Sequence, residues 1–122
     1  MTLQELYGSI DGDYSQAMRV LRIDRLLDKH IRKFVANGVV DSLLQAGKTM
    51  DPRQLFDAAH ATKGVCGNLG LVKLADLSSR IAEEFREGNP RTMSDAEVQE
   101  TLSQIDALYT KTKDGIQAYV SA

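Results

Sequence analysis

Apolar residues recur along this chain at steps of three, four and one, the spacing of helices that each bury one face. From Asp24 to about Ala46 the stripe is Leu27, Ile31, Phe34, Val35, Val39, Leu43 and Leu44. Asn37-Gly38 falls inside it, and because the stripe continues beyond, the pair reads as a bend. Gly47 reads as the terminator, with Lys48 to Met50 as the following loop. The next stretch opens at Asp51 as N-cap, with Pro52 at the first helical position and Gln54 three residues after the cap, and it stops at Gly70. A third long helix is predicted from Leu71 to Glu87, with Leu74, Leu77, Ser78, Ile81 and Phe85 facing inward and Gly88-Asn89-Pro90 ending it. Ser94-Asp95-Ala96-Glu97 is a capping box for the last helix. Its stripe is Val98, Leu102, Ile105, Leu108, Tyr109, Thr112 and Ile116, and Gly115 near its end predicts frayed final turns.

Two shorter segments precede these. Thr2 to Ser9 carries its own cap, Thr2 with Glu5, and an apolar face of Leu3, Leu6, Tyr7 and Ile10. Asp11-Gly12-Asp13 breaks the pattern, and Asp13 caps a second short helix to about Leu21. Such short helices are marginal alone and must lie on something larger. No stretch alternates as a strand does. The pattern predicts an all-α fold: an up-down-up-down four-helix bundle over residues 24–121, with short N-terminal helices over residues 2–22 capping one end, in one domain spanning residues 1–122.

Composition narrows the classes. The chain has 122 residues, enough for one core, and its 43% hydrophobic and 26% charged content is that of an ordinary globular domain. A net charge of −2 gives no bulk basic character to attract nucleic acid. The single cysteine, Cys66, cannot form an internal disulfide and sits on the apolar side of its helix as a small packing residue. No apolar run approaches the roughly 20 residues of a membrane helix. The first residues carry acids and no basic stretch of a signal peptide, so a cytoplasmic domain is expected. No nucleotide-binding loop is present, so neither ATP chemistry nor phosphorylation of the domain by itself is expected.

The candidate chemistry lies on the helix from Asp51 to Gly70. At about 100° per residue, Leu55, Ala58, Thr62, Val65, Cys66 and Leu69 gather on one side, and His60, Lys63, Gly64 and Gly67 on the other. The imidazole therefore faces solvent, with an ammonium three residues on. Glycine in a helix interior costs about 0.5–1 kcal/mol relative to alanine. Gly64 and Gly67 either clear ground for another protein or allow close helix packing; their place on the polar face favours clearance. A reachable imidazole is a nucleophile able to carry a phosphoryl group, and Lys63 can offset its charge. Phe56 projects within about 40° of His60, one turn earlier. It either packs beneath the short N-terminal helices or contacts a partner. His30, beside Lys29 and Arg32, has no such surroundings and reads as a surface residue, and neither histidine sits in a metal-ligand pattern.

The run His60-Ala61-Thr62-Lys63-Gly64-Val65-Cys66-Gly67-Asn68-Leu69-Gly70 resembles the H-x-x-K-G-x-x-x-x-x-G signature of histidine-containing phosphotransfer (HPt) domains. Leu71 to Leu77 also resembles the start of that family's next helix. The resemblance implies a four-helix bundle and a phosphorelay role. On that resemblance His60 is expected to accept a phosphoryl group from an aspartate of one response-regulator receiver domain and pass it to another, fed by a hybrid histidine kinase. It implies transfer at Nε2, with Mg²⁺ and the reactive aspartate supplied by the receiver and no cofactor on this chain. Arg86 matches a basic residue often found beside the phosphorylated helix. Ala82 departs from the family, where many members carry a glutamine that orients the imidazole. That departure lends some weight to an alternative, a helical adaptor that docks receivers or kinases and carries no phosphate.

Overall fold

The computed structural model describes residues 1–122, and seven helices with no strand make up the chain. They are α1 (Leu3–Ser9), α2 (Tyr14–Leu21), α3 (Asp24–Asn37), α4 (Val39–Thr49), α5 (Pro52–Asn68), α6 (Val72–Phe85) and α7 (Asp95–Ser121). α3 and α4 together take the place of the first long helix, and α5, α6 and α7 complete an up-down-up-down bundle. A continuous core of 25 buried apolar residues draws on every helix, so the two N-terminal helices share it with the bundle. No helix is long and apolar enough to cross a membrane.

The expected starts are in place. The Thr2 hydroxyl accepts from the Glu5 N–H while the Glu5 carboxylate accepts from the Thr2 N–H, and Ser94 and Glu97 repeat this reciprocal pair at α7. The Asp13 and Asp51 carboxylates accept from the N–H groups of Gln16 and Gln54. Each cap satisfies a donor that the helix itself leaves unpaired and contributes about 1 kcal/mol.

The first long helix differs from its expectation at both glycines. Gly38 adopts φ 73°, a left-handed conformation that closes α3 and opens α4, so Asn37-Gly38 is a break and not a bend. The break resets the helical phase. Leu27, Ile31 and Phe34 are buried before it, and Val40, Leu43, Ala46 and Gly47 after it. Val35, read as a stripe residue, is exposed, and Val39 and Leu44 are only half-buried. Gly47 does not end the helix. It lies buried inside α4, where a Cβ would collide with Leu102 Cδ1, and α4 runs on to Thr49 before Met50 turns left-handed at φ 58°. Lys48 and Thr49 are therefore helical.

Two other ends are also corrected. α7 does not fray at Gly115, because α1 crosses there: a Cβ on Gly115 would strike Ile10 Cγ2. The last turns are held further by the Tyr119 hydroxyl, which donates to the Asp28 carboxylate. α6 stops at Phe85 and not at Glu87, since Arg86 is extended with ψ 130°. The buried Glu84 carboxylate explains the early stop. It accepts from Arg91 Nε (2.8 Å), the Thr92 N–H (2.9 Å) and hydroxyl (2.8 Å), and the Met93 N–H (2.9 Å), wrapping the connection to α7 around itself. Burial pushes the Glu84 carboxyl up, but these donors outweigh it and hold the group down at about 2.

The N-terminal segment fixes the far end of α5. The Tyr7 hydroxyl donates to the Leu69 carbonyl (2.6 Å), the Asp13 N–H to the Gly70 carbonyl (2.7 Å) and Gln16 Nε2 to the Gly67 carbonyl (3.1 Å). These acceptors lie at the C-terminal end of α5, where the helix supplies few donors; the Gly67 carbonyl also accepts from the Gly70 N–H (3.2 Å). Gly70 itself takes φ 69°, the left-handed stop its position predicts.

Candidate functional site

α5 lies between α4 and α6 and buries Leu55, Ala59, Thr62 and Cys66, followed by Leu69. Ala58 and Val65, expected on the buried stripe, are only half-buried, while Ala59 is fully buried. The Thr62 hydroxyl satisfies itself against the Ala58 carbonyl at 2.8 Å, with the Val39 carbonyl 3.2 Å away. Burial pushes the Cys66 thiol up to about 12, so it stays protonated and inert as a packing residue.

With that face held inward, His60, Lys63 and Gly64 are exposed on the opposite side and Gly67 is half-exposed. A Cβ built on Gly64 or Gly67 would meet nothing within 4 Å. Neither glycine is needed for close packing of a neighbouring side chain, in contrast to Gly47 and Gly115; Gly67 meets α2 only through its carbonyl, which accepts from Gln16 Nε2. His30 lies on α3 and is exposed, as its sequence surroundings suggest.

The structure brings Phe56, His60 and Arg86 together. The Phe56 ring stacks on the His60 imidazole, with centroids 5.5 Å apart and planes 15° from parallel. The Arg86 guanidinium stands 5.1 Å from the Phe56 ring centroid. Phe56 is thus not beneath the N-terminal helices, which sit at the Gly67–Gly70 end of α5. It borders a groove between the start of α5 and the end of α6, lined also by Arg53, Asp57 and Phe85. Glu83 joins the group, a residue not singled out from sequence. Its carboxylate pairs with Arg86 at 2.9 Å, and the two residues stand three apart on α6, a spacing at which side chains meet. Arg86 holds the Glu83 carboxyl below the usual carboxylate range, and Lys63 on α5 adds to the effect.

Ala82 is buried on the inner face of α6 and offers no hydrogen-bonding group to the imidazole. On the other flank of α5 a second groove runs between α2, α3 and α5, lined by Val20, Leu21, Lys33, Val65 and Asn68. Val20 at its edge is 47% exposed.

The bundle thus presents His60 exposed beside Lys63, on a face where neither Gly64 nor Gly67 carries a side chain. The family model of the Hpt domain matches residues 15–114, most of the chain. The chain belongs to the Hpt domain family, whose members serve phosphotransfer in phosphorelays together with response-regulator receiver domains. No curated protein and no solved structure shows a significant match to it.

Proposed function

We propose that this protein is a phosphoryl carrier of a multistep phosphorelay, with His60 as the acceptor. The supporting observation is the outward face of α5: an exposed imidazole beside Lys63, on a face where a Cβ at Gly64 or Gly67 would meet nothing within 4 Å. The neutral imidazole attacks the phosphorus of an aspartyl phosphate on a receiver domain through the Nε2 lone pair. The N–P bond forms as the P–O bond breaks, the electron pair leaves with the aspartate carboxylate, and the proton on Nδ1 passes to water. The reverse step delivers the group to a second receiver. Lys63 offsets the charge of the phosphoryl group, Arg86 belongs to the partner-binding face, and the receiver supplies Mg²⁺ and the reactive aspartate. Catalysis is then mostly positioning and charge stabilisation. A hybrid histidine kinase in the cytoplasm is the upstream source on this reading.

A second reading has one specific observation behind it. Ala82 cannot hydrogen-bond the imidazole, which suits an adaptor that docks receivers or kinases without carrying phosphate. Incubation with a radiolabelled phosphorylated receiver, with wild type beside His60→Gln, separates the two. The carrier gains acid-labile, base-stable label only when His60 is present. Binding without label in either form supports the adaptor.

A further inference from the structure

No protein group hydrogen-bonds the His60 imidazole, yet the ring has a defined neighbour. In a helix, long side chains lean back over the preceding turn, toward the residue four positions earlier. For His60 that residue is Phe56, and the two rings meet with centroids 5.5 Å apart and planes 15° from parallel. We infer that Phe56 is the positioning residue for the His60 imidazole, itself steadied by Arg86. The inference rests on the carrier reading above and adds to it how the nucleophile is aimed.

Stacking does what a hydrogen bond to the ring does not. A hydrogen bond to one nitrogen fixes the tautomer and occupies that nitrogen. A stacked ring loses rotation about its Cβ–Cγ bond, while its nitrogens, hydrogen-bonded to no protein group, are left one to attack and one to exchange its proton with water. The lone pair lies in the ring plane, so a neighbour stacked on one face of the imidazole does not cover it. Phe56 is half-buried, and Arg86 stands over its ring at 5.1 Å. Glu83 grips Arg86 through Nη2 at 2.9 Å and Nε at 3.3 Å. The order of support runs from Glu83 and Arg86 on α6, through Phe56, to His60 on α5. This accounts for an aromatic residue on the outward face of α5, and for orientation of the imidazole without a polar side chain at Ala82.

The full chain labelled with ¹⁵N and ¹³C at histidine tests the inference. Wild type, Phe56→Leu, Phe56→Tyr and Arg86→Gln are compared. Leucine keeps the helix propensity and most of the bulk, and urea unfolding checks that each variant folds. In the wild type, the Phe56 ring current shifts the Hδ2 and Hε1 resonances of His60. The shift is expected to vanish in Phe56→Leu, persist in Phe56→Tyr and shrink in Arg86→Gln. His60 is then loaded with phosphoramidate, which needs no docking partner, and single-turnover transfer to a receiver domain is followed across receiver concentrations. Loss of the stack should lower the maximal rate about 3- to 10-fold in Phe56→Leu, with the half-saturating concentration unchanged and tyrosine restoring the rate. An unshifted wild-type imidazole overturns the inference, as does a Phe56→Leu protein that transfers at the wild-type maximal rate. A raised half-saturating concentration with an unchanged maximal rate also overturns it, assigning Phe56 to partner contact. Wild type that takes no label from phosphoramidate or from any receiver overturns the carrier reading, and with it Phe56's part in transfer. The ring shifts in that case still report whether the stack itself exists.

Discussion

Gly64 and Gly67 give the sharpest division between what stabilises this domain and what serves its site. Both lie in α5 with helical backbone, and a methyl group on either would meet nothing within 4 Å. Replacing a helical glycine by alanine removes freedom from the unfolded chain and contributes about 0.5–1 kcal/mol of stability where the folded conformation tolerates the methyl. The gain at Gly67 belongs at the low end, because only Asn68 follows it in the helix. Unfolding entropy of about 2.1 cal/mol/K per residue gives roughly 0.26 kcal/mol/K for 122 residues. Each substitution should therefore raise Tm by about 2–4 °C, and the double variant Gly64→Ala/Gly67→Ala by about 4–7 °C.

Transfer should move the other way. A methyl beside the imidazole holds an approaching active site back by about the depth of one methyl group. Displacements on the order of 1 Å can cost up to about a hundredfold in rate. We expect the Gly64→Ala protein to transfer roughly tenfold more slowly at saturating receiver, and the double variant more slowly still. Calorimetry gives the stability and radiolabel transfer gives the rate. A fall in Tm would show that packing holds these glycines, and wild-type transfer in the stabilised double variant would remove them from the docking surface. Gly115→Ala and Gly47→Ala supply the contrast. Their new methyl groups collide with Ile10 and Leu102, so both variants should lose about 1–3 kcal/mol.

Other expectations follow from the contacts around the site. Tyr7→Phe leaves the Leu69 carbonyl unpaired at the buried end of α5 and should cost about 1–2 kcal/mol in urea unfolding. Glu84 has its folded pKa depressed, so its contribution to stability is complete above the ordinary carboxylate range and is lost as pH falls toward about 2. Glu84→Gln should then cost about 1–3 kcal/mol at pH 7 and flatten the decline of Tm between pH 5 and 2, as followed by circular dichroism. His60→Gln gives up the contact with the Phe56 ring but no hydrogen bond, so it should lower Tm by only about 2–4 °C in calorimetry.

What could be read from the sequence divides by the range of the interaction responsible. Caps depend on residues three apart, and Thr2, Asp13, Asp51 and Ser94 all start helices where their neighbours place them. The outward face of α5 was equally legible, since one helix's periodicity sets which residues share a side. Glycines were not, because a glycine in a helical pattern has the same letters whether it breaks the helix, as Gly38 does, or admits a neighbour, as Gly47 and Gly115 do. The distinction lies in residues 55 and 105 positions away in the chain, Leu102 for Gly47 and Ile10 for Gly115. The same limit hid the misplaced stripe in α4: once Gly38 turned left-handed, a one-dimensional period carried across it pointed Val39 where Val40 belongs.

The site shows that limit from the other direction. Phe56 and His60 are four apart on one helix, so their proximity follows from the sequence, but an aromatic at that spacing fits partner contact and ring stacking alike. The structure adds Arg86 and Glu83 from α6, and with them a reason for the ring to stay where it is. A cation over Phe56 favours the ring being held against the protein, since both the stack and the cation contact would be forfeited if it swung out to a partner. The bundle's part is to set α5 and α6 side by side at this point, and it does so through the buried face that includes Ala59 and Ala82, two small residues facing the core. A larger polar residue at Ala82 would have to find room in that packed layer before it could reach the imidazole. On this chain, therefore, close packing of the two helices and the Phe56 stack belong to one arrangement, in which the ring is oriented from the front of α5 and not from beneath it.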